Sequence, residues 1–120
     1  MMPQECKETQ PIKVFRPTRI LTADNAIGLK QWAKAEISQG ASVLLIDFSQ
    51  VSFMDSSGLG ALVSINQMVQ LSGSQIRICS LHGQARMLFE MTNLHHCFHT
   101  YPDRASAEAT LPEALHHEQN

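Results

Sequence analysis

Cysteine, charge and long apolar runs are all sparse in this chain of 120 residues. Its three cysteines (Cys6, Cys79 and Cys97) make no close pair, so neither a disulfide framework nor a CxxC metal knuckle is supported. Nine Lys and Arg face eleven Asp and Glu, a formal net charge of −2. A nucleic-acid binder needs a basic face, and these counts scarcely furnish one. No apolar stretch nears the roughly 18–20 residues that cross a bilayer. The opening MMPQECKETQ lacks the apolar centre of a signal peptide. The expectation is a cytoplasmic protein that touches neither nucleic acid nor membrane directly. The GxSxG of a nucleophile elbow is missing as well, and a nucleophilic serine needs an imidazole or amine base beside it. The histidines gather late, in HHCFH and HH, so no catalytic residue is expected.

What is present is a core-forming composition, 43% hydrophobic, which excludes whole-chain disorder. One domain is expected over residues 11–116, with a polar lead-in at 1–10 and a polar tail at 117–120. His95, His96 and His99 with Cys97 have the donor types of a zinc site, but they alternate around one short apolar segment with no acidic partner. Zinc ligands must converge on a tetrahedron, so this stretch is read as a solvated loop entering a strand, with no metal or other cofactor. Cys79 and Cys97 are read as small buried hydrophobes.

Apolar periodicity divides the chain into alternating elements. Ile12 and Val14, then Ile20-Leu21, form short strands or one broken strand, with Pro17 demanding an edge or a turn. Capping side chains at Thr22–Asn25 precede Ala26, Leu29, Ala33 and Ile37 at helical spacing, and Gly40 closes that helix. Val43–Ile46 is apolar on both faces, as a central strand covered by helices must be. Ser49 to Met54 is expected to be a loop. A helix then runs from Asp55-Ser56-Ser57-Gly58 to Ser72-Gly73. Ile76–Cys79 is a strand, Gln84–Met91 a helix, Cys97–Thr100 a last strand, and Arg104–Leu115 a final helix interrupted by Pro112. Strands alternating with helices predict an α/β fold, a mixed sheet of about four or five strands with about four helices packed on it.

The segment Phe53–Gly60 concentrates polar and small residues between a buried strand and a helix. Asp55 or Ser56 is the natural N-cap, since either side chain can accept from the first helical N–H groups. Gly58 and Gly60 in the first turns each cost up to about 1 kcal/mol of helix propensity relative to Ala. They are expected to keep the helix mouth open to another molecule. A phosphoryl group on Ser56 would bring about −1.5 to −2 charges to the positive end of the helix dipole, where free N–H groups could bind its oxygens. Asp55 and Asp47 are read as a helix cap and a loop support rather than as groups that move a phosphate.

The run LLIDFSQVSFMDSSGLGAL, from Leu44 to Leu62, resembles the signature of the STAS domain, and within it the stand-alone anti-sigma-factor antagonists. The resemblance continues through Ile76–Cys79, Leu88-Phe89, Leu94 and Phe98, and upstream through Ile20-Leu21 and Asn25-Ala26. It covers about residues 12–115. It implies a STAS-like sheet, phosphorylation at Ser56 with Asp55, Ser57, Gly58 and Gly60 supporting the phosphosite, and a protein that is a substrate and not a catalyst. The implied partners are an anti-sigma factor serine kinase that uses ATP and a serine phosphatase that reverses it. The unphosphorylated form would bind the kinase, the phosphorylated form would release it, and transcription would be regulated through that exchange. Where many members carry Gly-x-Leu-Asp before the first helix, this chain has Arg19-Ile-Leu-Thr22.

Projected at 100° per residue, Val63 points away from the Leu62, Ile65 and Val69 face, with Leu59 on its flank. Leu59 and Val63, together with Asn25 at the head of the first helix, are expected to bind the partner. The alternative is a non-phosphorylated STAS subunit or sensor, serving a transporter or a nucleotide or lipid ligand.

Overall fold

A computed structural model describes residues 12–109. The expected lead-in and polar tail, Cys6, and the part of the expected final helix beyond Ala109 lie outside the described residues. In chain order the elements are β1 (Ile12–Phe15), β2 (Arg19–Leu21), α1 (Ala23–Ser38), β3 (Val43–Asp47), β4 (Val51–Met54), α2 (Ser56–Ser72) and β5 (Gln75–Cys79). They continue with α3 (Gly83–Met91), a 3-10 turn at Leu94–His96, β6 (His99–Tyr101) and α4 (Arg104–Ala109). The α/β class and, among the described residues, the four helices are as expected. The strands among the described residues number six, because the segment taken for a loop contains β4.

Four strands form a parallel sheet in the order β1-β3-β5-β6. Every residue of β3 is buried, which accounts for its unbroken apolar run: both faces are covered. Leu44 and Ile46 join Ile76, Ile78 and the inner faces of α1, α2 and α3 in the main core. Leu45 and Cys79 pack with Ala107 of α4 on the other face. Among the described residues, Arg77 and Asp47 are the buried charged side chains. The Arg77 Nε donates to Gln75 Oε1 at 2.6 Å, another of its nitrogens donates to the Ala107 carbonyl, and its charge lies 5.7 Å from the Tyr101 ring centre.

The second sheet is a parallel pair, β2 with β4. The two early strands thus serve different sheets, and Pro17 lies in the turn between them. Helix ends follow local chemistry: Gly40 (φ 93°) follows the Gln39 C-cap of α1, and Gly73 (φ 83°) ends α2 in the left-handed region. Cys97 corrects an expectation, for it is exposed rather than buried. The last strand starts two residues late because Leu94–His96 winds into the 3-10 turn and leaves Cys97 outside the sheet. Among the described residues, no helix is long and apolar enough to cross a membrane.

Candidate functional site

The site grows from the end of the β2–β4 pair. Its register is Arg19 with Val51, Ile20 with Phe53 and Leu21 with Met54, so β4 holds one extra residue, Ser52. This is a bulge, and the Ser52 hydroxyl donates to the Arg19 carbonyl at 3.0 Å across it. A one-residue slip reverses the side-chain alternation. Val51 and Met54 therefore point inward while Phe53 turns to solvent. Phe53 is 45% exposed beside its partner Ile20 at 39%, an apolar pair next to the helix mouth that periodicity could not have shown. Arg19 has φ 67°, a conformation that favours glycine, at the position where the family pattern has its glycine.

Beyond Met54, the Asp55 N–H donates to the Leu21 carbonyl at 3.3 Å. Asp55 is the N-cap of α2, and its Oδ1 accepts from the N–H groups of Ser57 (2.9 Å) and Gly58 (3.2 Å). Two of the first-turn donors are thus already occupied. The expectation that a phosphate would find them free is corrected: a phosphoryl group on Ser56 would sit beside a carboxylate that holds them. Ser56 and Ser57 are exposed, and the Ser56 hydroxyl has no hydrogen-bond partner among the described residues.

The two glycines divide. Gly60 is exposed, and a Cβ there would meet nothing within 4 Å. Gly58 is buried; a Cβ would lie 2.4 Å from the Leu21 carbonyl oxygen and 2.9 Å from both Leu21 Cγ and Met54 Cγ. Gly58 is glycine because α2 rests on the backbone of β2, not because a visitor must approach it. Leu59 is also corrected. It is only 8% exposed and belongs to the main core, because the inward face of α2 is wider than the stripe of Leu62, Ile65 and Val69. Val63 is half-buried on the flank.

Asn25 is half-buried and already employed. Its Oδ1 accepts from the N–H of Thr22, the N-cap of α1, at 2.8 Å, and its Nδ2 donates to the Ile20 carbonyl at 2.7 Å. The side chain thereby ties α1 to β2, beside the exposed pair. Asp47 supports the β3–β4 loop through Ser49 N–H at 2.9 Å. Burial, with the Asp47 carboxylate as a second cause, pushes the Cys79 thiol up to about 11, so it is protonated and no nucleophile at neutral pH. Among the described residues, no group of three or more His, Cys, Asp or Glu is placed to hold a metal ion.

A STAS domain family model matches residues 4–107. A TM1081 homologue of Thermotoga neapolitana, named as a candidate anti-sigma factor antagonist, is 26% identical over 110 residues, 91% of each chain. An anti-sigma factor antagonist of Mycobacterium paratuberculosis shares the fold with a TM-score of 0.66 at 24% identity, over 91% of this chain and 86% of that one. The phosphorylated form of the Bacillus cell fate determinant SpoIIAA superposes with a TM-score of 0.65 at 17% identity, over 82% of this chain and 90% of that one.

Proposed function

The chain belongs to the STAS domain family, and on that premise we propose that it is an anti-sigma factor antagonist switched by phosphorylation of Ser56. The observation that carries this reading is the setting of Ser56. It is exposed, it stands directly after the cap of α2, and its hydroxyl is free of any internal bond among the described residues. A kinase can reach such a group without unfolding anything.

The partner, an anti-sigma factor that is itself a serine kinase, docks over the mouth of α2. Ser56, Ser57 and Gly60 contribute polar and small surface, Val63 and Asn25 flank it, and the exposed Ile20–Phe53 pair adds apolar area. Apolar side chains left half in water gain on being covered, by about 25 cal/mol per Å². A phosphoryl group would then have to be desolvated within that contact, next to the Asp55 carboxylate. An unpaired dianion resists this by several kcal/mol, and each 1.4 kcal/mol is about tenfold in affinity. The partner leaves without refolding of the domain. The kinase supplies the ATP and performs the transfer, a phosphatase restores the hydroxyl, and this chain acts as substrate and switch.

The test mixes the protein with an anti-sigma serine kinase and Mg-ATP and maps the phosphate by mass spectrometry. Phosphate on Ser56, retained binding by Ser56→Ala and weakened binding by Ser56→Asp are expected. Label on Ser57 instead would move the switch. A single unmodified form under all conditions would replace this reading with that of a non-phosphorylated regulatory subunit or sensor.

A further inference from the structure

Among the described residues β4 pairs with β2 along one edge only, and at Met54 a side chain occupies the place of a strand on the other. Met54 is fully buried, so its backbone groups need partners within the protein. Gln84, in the first turn of α3, supplies both. Its Oε1 accepts from the Met54 N–H at 2.8 Å, and its Nε2 donates to the Met54 carbonyl at 2.9 Å. In an extended chain one residue presents its N–H and C=O to the same edge, and the next residue presents its own to the opposite edge. Accordingly the Asp55 N–H turns the other way, to the Leu21 carbonyl at 3.3 Å. The two residues before Ser56 are gripped from opposite sides, one by a helix and one by a strand. At neutral pH, where carboxyl groups are ionised, a carboxamide is the side chain that offers an uncharged donor and acceptor side by side for this purpose.

We propose that Gln84 is a positioning residue for Ser56: its amide fixes the backbone that presents the acceptor hydroxyl, and so couples α3 to the phosphosite. This deepens the functional reading above and rests on it. Catalysis of phosphoryl transfer rests on positioning together with electrostatic stabilisation, and positioning requires the attacking oxygen to be held in line. A loosened Met54–Asp55 segment would leave the docking surface in place and spread the hydroxyl over many orientations. The cost then falls on kcat, with KM for the protein substrate little changed.

The experiment uses the full chain, its Gln84→Ala and Gln84→Glu variants, amide hydrogen exchange, and steady-state phosphorylation by an anti-sigma serine kinase well below the melting temperature. In Gln84→Ala, exchange at the Met54 amide should rise about tenfold, the equivalent of about 1.4 kcal/mol, with Ile46 in β3 unchanged. Its kcat should fall by a similar factor at near-constant KM. Gln84→Glu adds a signature that packing alone cannot produce. A carboxylate accepts but does not donate, whereas a protonated carboxyl does both. Met54 protection in this variant, relative to the parent at each pH, should therefore recover as pH falls through the carboxyl range near about 4.3. If Gln84→Ala does not fold, this shape-conserving variant carries the test alone. Unchanged Met54 exchange, or normal labelling of the parent with undiminished kcat in the variants, overturns the positioning role. Failure of the parent's Ser56 to accept phosphate sinks the functional reading itself, whatever the exchange data say of the clamp.

Discussion

Adding one methyl group at Gly58, and the same methyl two residues later at Gly60, should move stability in opposite directions. Both glycines lie in α2, so alanine gains about 0.8–1.0 kcal/mol of helix propensity at either position. At Gly60 nothing lies within 4 Å of the new Cβ, and that gain is realised. At Gly58 the Cβ would stand 2.4 Å from the Leu21 carbonyl oxygen. That oxygen cannot retreat freely, because it accepts the Asp55 N–H that fastens β4 to β2. Overpacking costs about 1–3 kcal/mol, and a clash with backbone belongs at the upper end. The net loss for Gly58→Ala is then about 2 kcal/mol. For a domain of this size each kcal/mol moves Tm by about 4–5 °C, so Gly58→Ala should melt about 8–10 °C lower and Gly60→Ala several degrees higher. Urea and thermal unfolding followed by far-UV circular dichroism measure both. Equal shifts of one sign, or a Gly58→Ala protein as stable as its parent, would refute the claim that Gly58 serves the contact between α2 and β2.

Two further predictions concern the same junction. Asp55→Ala should cost about 0.5–2 kcal/mol, since the Ser57 and Gly58 N–H groups lose their acceptor, while Asp55→Asn should cost much less because asparagine caps as well; urea midpoints distinguish the two. Arg19→Gly should relieve a left-handed φ that costs an L-residue roughly 1–2 kcal/mol, against about 0.5–1 kcal/mol of added chain entropy. The expected result is a Tm equal to or slightly above the parent's, and a clear fall would show that Arg19 makes contacts that outweigh its backbone strain.

Much of the fold was legible because its signals are local. The uninterrupted Val43–Ile46 run announced a strand covered on both faces, and the capping cluster at Thr22–Asn25 and the Ser72-Gly73 stop set helix ends to within a residue or two. The region around β4 was not legible. Four residues with Ser52 in their midst carry too little periodicity to declare a strand, and the bulge that turns Phe53 outward exists only in register with Arg19 and Ile20. Leu59 misled for a related reason. An ideal helical wheel gives its angle on α2, but the width of the buried stripe depends on how closely the neighbouring elements pack.

By itself, the amino-acid order determined that a helix would begin at Asp55-Ser56, with one of those two side chains as its cap, because capping and helical phase act over a few neighbouring residues. Tertiary structure alone decided what that serine stands on: Gly58 laid against Leu21, Phe53 turned out beside Ile20, and Met54 clasped by Gln84 from 30 residues away. Those contacts join segments far apart in the chain. Their geometry comes from the register of one strand pair and the seating of two helices, and no short-range pattern of residues encodes either.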